Sequence, residues 1–173
     1  RAYLEALTAT STAQRATAID RARAAQPDLH EIVLLQGRIL LGQLFDYLQA
    51  LAQLPRSRWE EVLRAMSGIL PDVLAAFDEA LETARDDDQR AAALVGAARA
   101  RFVLLEAQTT PRGDEDRDER AAAEARAALL AEAIERLEEA RRLAPSNEDA
   151  ALLLARLLAR QGAGTRVHQT YRS

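Results

Sequence analysis

Apolar residues recur at three- and four-residue intervals along nearly the whole chain, the spacing that builds one face of a helix. Leu4, Leu7 and a run of Ala lead into Ile19, Ala22 and Ala25 before Gln26-Pro27-Asp28 interrupts. Pro27 lacks the backbone donor, and Asp28 with Glu31 three residues on has the form of a capping box, so a new helix is predicted to open there. From Leu29 to Leu54 apolar residues (Ile32, Val33, Leu35, Ile39, Leu40, Leu44, Leu48 and Leu51 among them) occupy most of the helix circumference. A helix apolar nearly all round is a central one, and this one would run for about 40 Å.

Pro55 ends that element, and Ser57 with Glu60 predicts a second capping box opening a shorter helix through Trp59, Val62, Leu63 and Met66. Ser67-Gly68 and Pro71 predict a break or kink, with Pro71 also suited to the first turn of a new helix running to Arg85. Asp86-Asp87-Asp88 is a turn and an acid-rich helix start, and the next helix is predicted over Gln89 to Gln108. A polar loop over 109–117 is the longest break. A helix of about 25 residues to Leu143, the turn Ala144-Pro145-Ser146-Asn147 and a last helix from Glu148 to Gln161 complete the pattern. Gly162-Ala163-Gly164 is expected to stop it. One helical domain over 1–162 and a frayed tail over 163–173 follow.

Composition sharpens this into an all-α fold. Hydrophobic residues make up 49% of the 173 residues and aromatic ones 4%, and Ala and Leu supply about two residues in five, so helix formers dominate and strand formers are scarce. The absence of Cys removes disulfides, Cys-ligated zinc, iron–sulfur clusters and thiol catalysis, and it suits the bacterial cytoplasm and the periplasm alike. A formal charge of −4 offers no electrostatic attraction to nucleic acid. No run of 18 apolar residues is present, so no membrane span is predicted. Residue 1 is Arg rather than Met, so the chain reads as processed or trimmed, with a removed targeting segment left open. All 23 basic residues are Arg, read as base composition of the genome rather than selection for bidentate recognition.

The helix-turn pattern repeats. Ile19/Ala22/Pro27, Phe77/Ala80/Arg85 and Leu137/Ala140/Pro145 share one spacing and recur at offsets of 58 and then 60 residues. With a shift of 118, Leu34/Leu152, Leu35/Leu153, Arg38/Arg156 and Leu40/Leu158 also coincide. Here the chain resembles the tetratricopeptide repeat (TPR) family, whose unit is a helical hairpin with a small–large–small signature on its second helix and a Pro at its exit. Ala133, Leu137, Ala140 and Pro145 carry that half, and Ala151, Leu154, Ala155, Leu158 and Gly162 fit the first half of a following repeat. Ile19, Ala22 and Pro27, then Val33, Gly37 and Leu40, form an earlier copy; the middle one has Arg85 in place of Pro. The usual aromatics of the first helix are missing, and the period is near 59 rather than the family's 34. The resemblance implies antiparallel hairpins stacked as an α-solenoid with unusually long helices. The same residues also fit an up-and-down helical bundle.

Candidate chemistry fails on specific grounds. Gly37 and Gly42 have phosphate-loop spacing, but Gln43-Leu44 replaces Lys-Ser/Thr and no strand precedes them, so close packing is the expected role. Asp114, Asp116 and Asp118 alternate as in a calcium loop, yet Glu119 stands where Gly is needed and Ala125 where a bidentate Glu is needed. Arg112-Gly113-Asp114 spells an integrin-binding tripeptide, a string short enough to arise by chance. Glu60/Glu61 and Glu138/Glu139 read as exposed neighbours that diverge by about 100° around a helix. His30 and His168 read as isolated surface residues, and Ser57 and Ser146 as caps. No catalytic residue, metal site or cofactor is predicted.

The expected function is a non-catalytic protein–protein interaction module: an adaptor, scaffold or accessory subunit of a larger assembly, with a protein or peptide partner. By the resemblance, first helices line a concave face, and their non-packing residues Gln36, Arg38, Gln43, Arg99 and Arg101 are its candidates. Trp59 reads as inter-helix packing or as a partner anchor, and Tyr47 with Phe45 as an exposed helix face. Tyr3 and Tyr171 lie near the ends, where a missing neighbour would cover them. End helices carrying Leu4, Leu7, Leu153 and Leu157 make self-association a variant of this reading. The alternative is a helical protein holding a small molecule or lipid in an apolar channel, motivated by the 29–54 segment.

Overall fold

A computed structural model describes residues 12–26, 29–109 and 119–170, and every regular element among them is helical. The elements are α1 (Thr12–Ala25), α2 (His30–Gln53), a 3-10 turn (Arg56–Arg58), α3 (Trp59–Thr83), α4 (Asp87–Thr109), α5 (Glu119–Leu143) and α6 (Glu148–Thr170). Among them no helix is long and apolar enough to cross a membrane.

Three apolar clusters follow one another in chain order. The first joins Ala18, Ile19 and Ala22 of α1 to Ile32 of α2. The second joins Val33, Leu41 and Leu44 of α2, Met66, Val73 and Phe77 of α3, and Ala93, Ala97 and Ala100 of α4. The third joins Leu94 and Ala98 of α4, Leu137 and Ala140 of α5, and Ala150, Leu153 and Leu157 of α6. Each helix packs on the next, and α2 and α4 further pack on α4 and α6 respectively. The three pairs that share one spacing in the sequence, Ile19/Ala22, Phe77/Ala80 and Leu137/Ala140, are all buried at the C-terminal halves of α1, α3 and α5.

The most enclosed helix is α4, not the 29–54 segment expected to be central. Residues 93–98 of α4 are buried without interruption, whereas α2 keeps Glu31, Arg38, Phe45 and Asp46 exposed. The richness of α4 in Ala disguises this in hydropathy, because small residues let helices approach on both sides while contributing little apolar area each.

Several local expectations are corrected. α3 runs unbroken through Ser67, Gly68 and Pro71. All three are exposed, so the carbonyl of Ser67, deprived of its partner by Pro71, faces water, while buried Met66, Leu70, Val73 and Phe77 hold the opposite face in register. The capping box expected from Ser57 and Glu60 does not form. Leu29 and Arg58 occupy the N-cap positions of α2 and α3 with no side-chain cap bond, and Asp28 lies outside the described residues. Glu60 and Glu61 instead pair with Arg64 and Arg58 on the exposed surface. Side-chain caps among the described residues include Asp86, whose Oδ1 accepts the Gln89 N–H at 2.8 Å, and Asn147 rather than Ser146, whose Oδ1 accepts the Ala150 N–H at 3.0 Å. α6 continues through Gly162 to Thr170 instead of stopping near Gln161. One mid-helix Gly costs about 1 kcal/mol, too little to end a helix by itself.

Candidate functional site

Two glycines and one aromatic ring set the spacing of the middle layer. Phe77 is 1% exposed, and a Cβ added to Gly37 of α2 or Gly96 of α4 would fall within 3.1 Å of its ring carbons. Phe77 is thus clasped between two helices whose backbones approach because both positions lack a side chain. The close-packing role expected for Gly37 and Gly42 holds at Gly37 only, since a Cβ on Gly42 meets nothing within 4 Å.

Beside this clasp lies a cleft of about 150 Å³. Leu41, Ala92, Val95 and Gly96 form its apolar part, with Arg38, Arg99, Asn147 and Asp149 supplying polar groups. Arg99 Nη2 lies 3.0 Å from Asp149 Oδ1. Arg38, exposed on α2, makes no hydrogen bond or ion pair with a described residue. The structure therefore brings together two of the residues singled out in the sequence, Arg38 and Arg99, and adds Asn147 and Asp149, which sequence reasoning missed. The start of α6 is carried to α4 by the turn after α5, a long-range placement with no local signal.

The remaining candidates lie elsewhere. Arg101 is buried at 9% exposure, its Nε donating to Glu132 Oε2 of α5 at 2.8 Å and its Nη1 to the Ala97 carbonyl at 3.2 Å. Gln36 accepts from Arg23 Nη1, and Arg23 also pairs with Glu79, tying α1, α2 and α3 together. Gln43 is half-buried away from the cleft lining. Trp59 is half-buried against the second cluster, its Nε1 donates to the Leu54 carbonyl at 3.1 Å, and the Arg56 guanidinium sits 5.9 Å from its ring centre. Tyr47 packs on the same cluster, and Phe45 is exposed.

His30 is corrected from surface residue to buried one. It is 3% exposed, its Nδ1 donates to the Ala80 carbonyl at 2.8 Å, and Nε2 is buried with no hydrogen-bond partner. The ring pins the start of α2 to the end of α3. His30→Ala is expected to cost about 2 kcal/mol, for the lost bond and the cavity, and His30→Leu under about 1 kcal/mol, because the unpartnered nitrogen goes as well. Urea melts of both variants measure the difference.

Compared with protein-family models, characterised proteins and solved structures, the chain finds no match in any of the three. Among the described residues no group of three His, Asp or Glu converges as metal ligands. The calcium-like loop with Asp114, Asp116 and Asp118, the Arg112-Gly113-Asp114 tripeptide, Leu4, Leu7, Tyr3 and Tyr171 lie outside the described residues, as does the side chain of His168.

Proposed function

We propose that this protein is a non-catalytic interaction module, an adaptor, scaffold or accessory subunit, built as a TPR-like stack of helical hairpins. The serial order of its clusters supports a stack over a bundle, because in a closed bundle all helices share one core. The observation that carries the interaction reading is the outer face of α6. Leu152 and Leu158 are 59% and 44% exposed, yet their repeat counterparts in α2, Leu34 and Leu40, lie in or against the second cluster, next to α3 and α4. A face that the fold covers at one end of the stack is bare at the other, and a further helix from a partner or a second copy would cover it. The channel alternative has less support, since Val33, Leu41, Leu44 and Leu51 of the 29–54 segment are spent on packing against α3 and α4.

Native purification with mass spectrometry and light scattering tests this, using wild type beside the Leu152→Glu/Leu158→Glu double variant. Wild type is expected to carry a stoichiometric protein or to self-assemble. The double variant is expected to lose that association with folding stability within about 0.5 kcal/mol, as for other exposed substitutions. A wild-type monomer with no protein partner would remove the proposal.

A further inference from the structure

We propose that the cleft between α2, α4 and the start of α6 is a receptor for a glutamate side chain in an acidic segment of a protein partner. The inference rests on the interaction-module reading and names the chemistry of one contact. Charge complementarity carries it. Two guanidinium groups, of Arg38 and Arg99, border the cleft against one carboxylate, of Asp149, which leaves one positive charge uncompensated there. Arg38 is the uncommitted one: it is exposed and bonds to no described residue, whereas Arg99 is held by Asp149 at 3.0 Å. A guanidinium presents a planar fork of donors that a carboxylate matches in bidentate fashion.

The shape of the cleft narrows the occupant. Its volume of about 150 Å³ matches a cavity that holds a benzene-sized group, enough for the five heavy atoms of a glutamate side chain. Leu41, Ala92 and Val95 provide apolar surface for its two methylenes, and the Phe77 ring that fills the space beside Gly96 adds to that wall. Asn147 is already engaged as the cap of α6 through its Oδ1, so its amide nitrogen is the group it has left to offer an incoming oxygen. Asp149 competes with the ligand for Arg99. Neutralising it frees a guanidinium and removes a like charge from the approaching carboxylate.

The test is fluorescence anisotropy with a labelled twelve-residue peptide of alternating Glu and Ala, at low salt. Its Gln counterpart, free glutarate and inorganic phosphate serve as competitors. The Glu peptide is expected to bind wild type and the Gln peptide at least tenfold more weakly. Arg38→Gln and Arg99→Gln are each expected to weaken binding about tenfold, and Asp149→Asn to strengthen it several-fold, a gain that loss of structure would not produce. Thermal melts control for folding, and Arg38→Gln is the cleanest arm because that side chain has no partner among the described residues to lose. Failure of the Glu peptide to bind, equal binding of the Gln peptide, or indifference to Arg38→Gln overturns the proposal. Displacement by glutarate or phosphate at concentrations that match the peptide overturns it in favour of a small-anion site. These failures leave the interaction-module reading standing if wild type still associates through Leu152 and Leu158, so the two are separable.

Discussion

Gly96→Ala is expected to destabilise the protein by about 2–3 kcal/mol, against the usual direction of that substitution. In an ordinary helix interior, Gly→Ala gains about 1 kcal/mol from propensity. Here the new Cβ would lie 2.6 Å from Cδ1 of Phe77 and nearer still to Cε1 and Cζ. The ring cannot simply retreat, because Gly37 closes the other side with a Cβ position 2.9 Å from the same ring. Overpacking of this kind typically costs 1–3 kcal/mol and occasionally more. The same substitution elsewhere supplies the controls. Gly42→Ala and Gly68→Ala meet nothing within 4 Å and are expected to stabilise by about 0.5–1 kcal/mol. Phe77→Leu opens space at the clasp, so Gly96→Ala should cost markedly less in that background. Urea denaturation of the four variants and the double measures the coupling. Additive effects of Gly96→Ala and Phe77→Leu would mean that the ring and the glycine do not constrain one another.

Much of this architecture was legible because it is written in local periodicity. The apolar run from Leu29 to Leu54 predicts α2 to within a residue at each end, and the shared spacing of Ile19/Ala22, Phe77/Ala80 and Leu137/Ala140 picks out buried positions in three helices. What local rules could not supply is the outcome of competition with tertiary packing. Pro71 and Gly68 read as a break, but the buried stripe of α3 continues across them. His30 reads as a surface residue, but the Ala80 carbonyl, fifty positions away, gives its ring a buried partner. At the cleft the sequence named Arg99 and Arg101 together, although residues two apart on a helix point about 200° away from one another. That spacing already allowed only one of them to face any single surface. It could not say which, and the layer formed with α5 takes Arg101.

Leu137→Ala carries the second large expectation, and where its effect falls matters more than its size. Leu137 is fully buried in the third cluster, so truncation is expected to cost about 2–5 kcal/mol through lost transfer energy and the cavity left behind. If stability is built layer by layer, as the proposed stack requires, the loss stays near the site. Amide hydrogen exchange should accelerate in α5, in α6 and at the Leu94 and Ala98 face of α4, the elements that share the cluster. Protection in α1 and the first half of α2, anchored by Ile19, Ala22 and Ile32, should change little. A closed bundle predicts otherwise: with one core common to all helices, the same substitution lowers protection throughout, because opening any part exposes the whole. α4 decides how sharply the two outcomes separate. It belongs to the second and third clusters at once, so its two faces report on different layers within one helix. Exchange that rises uniformly from α1 to α6 in Leu137→Ala would exclude the stacked arrangement.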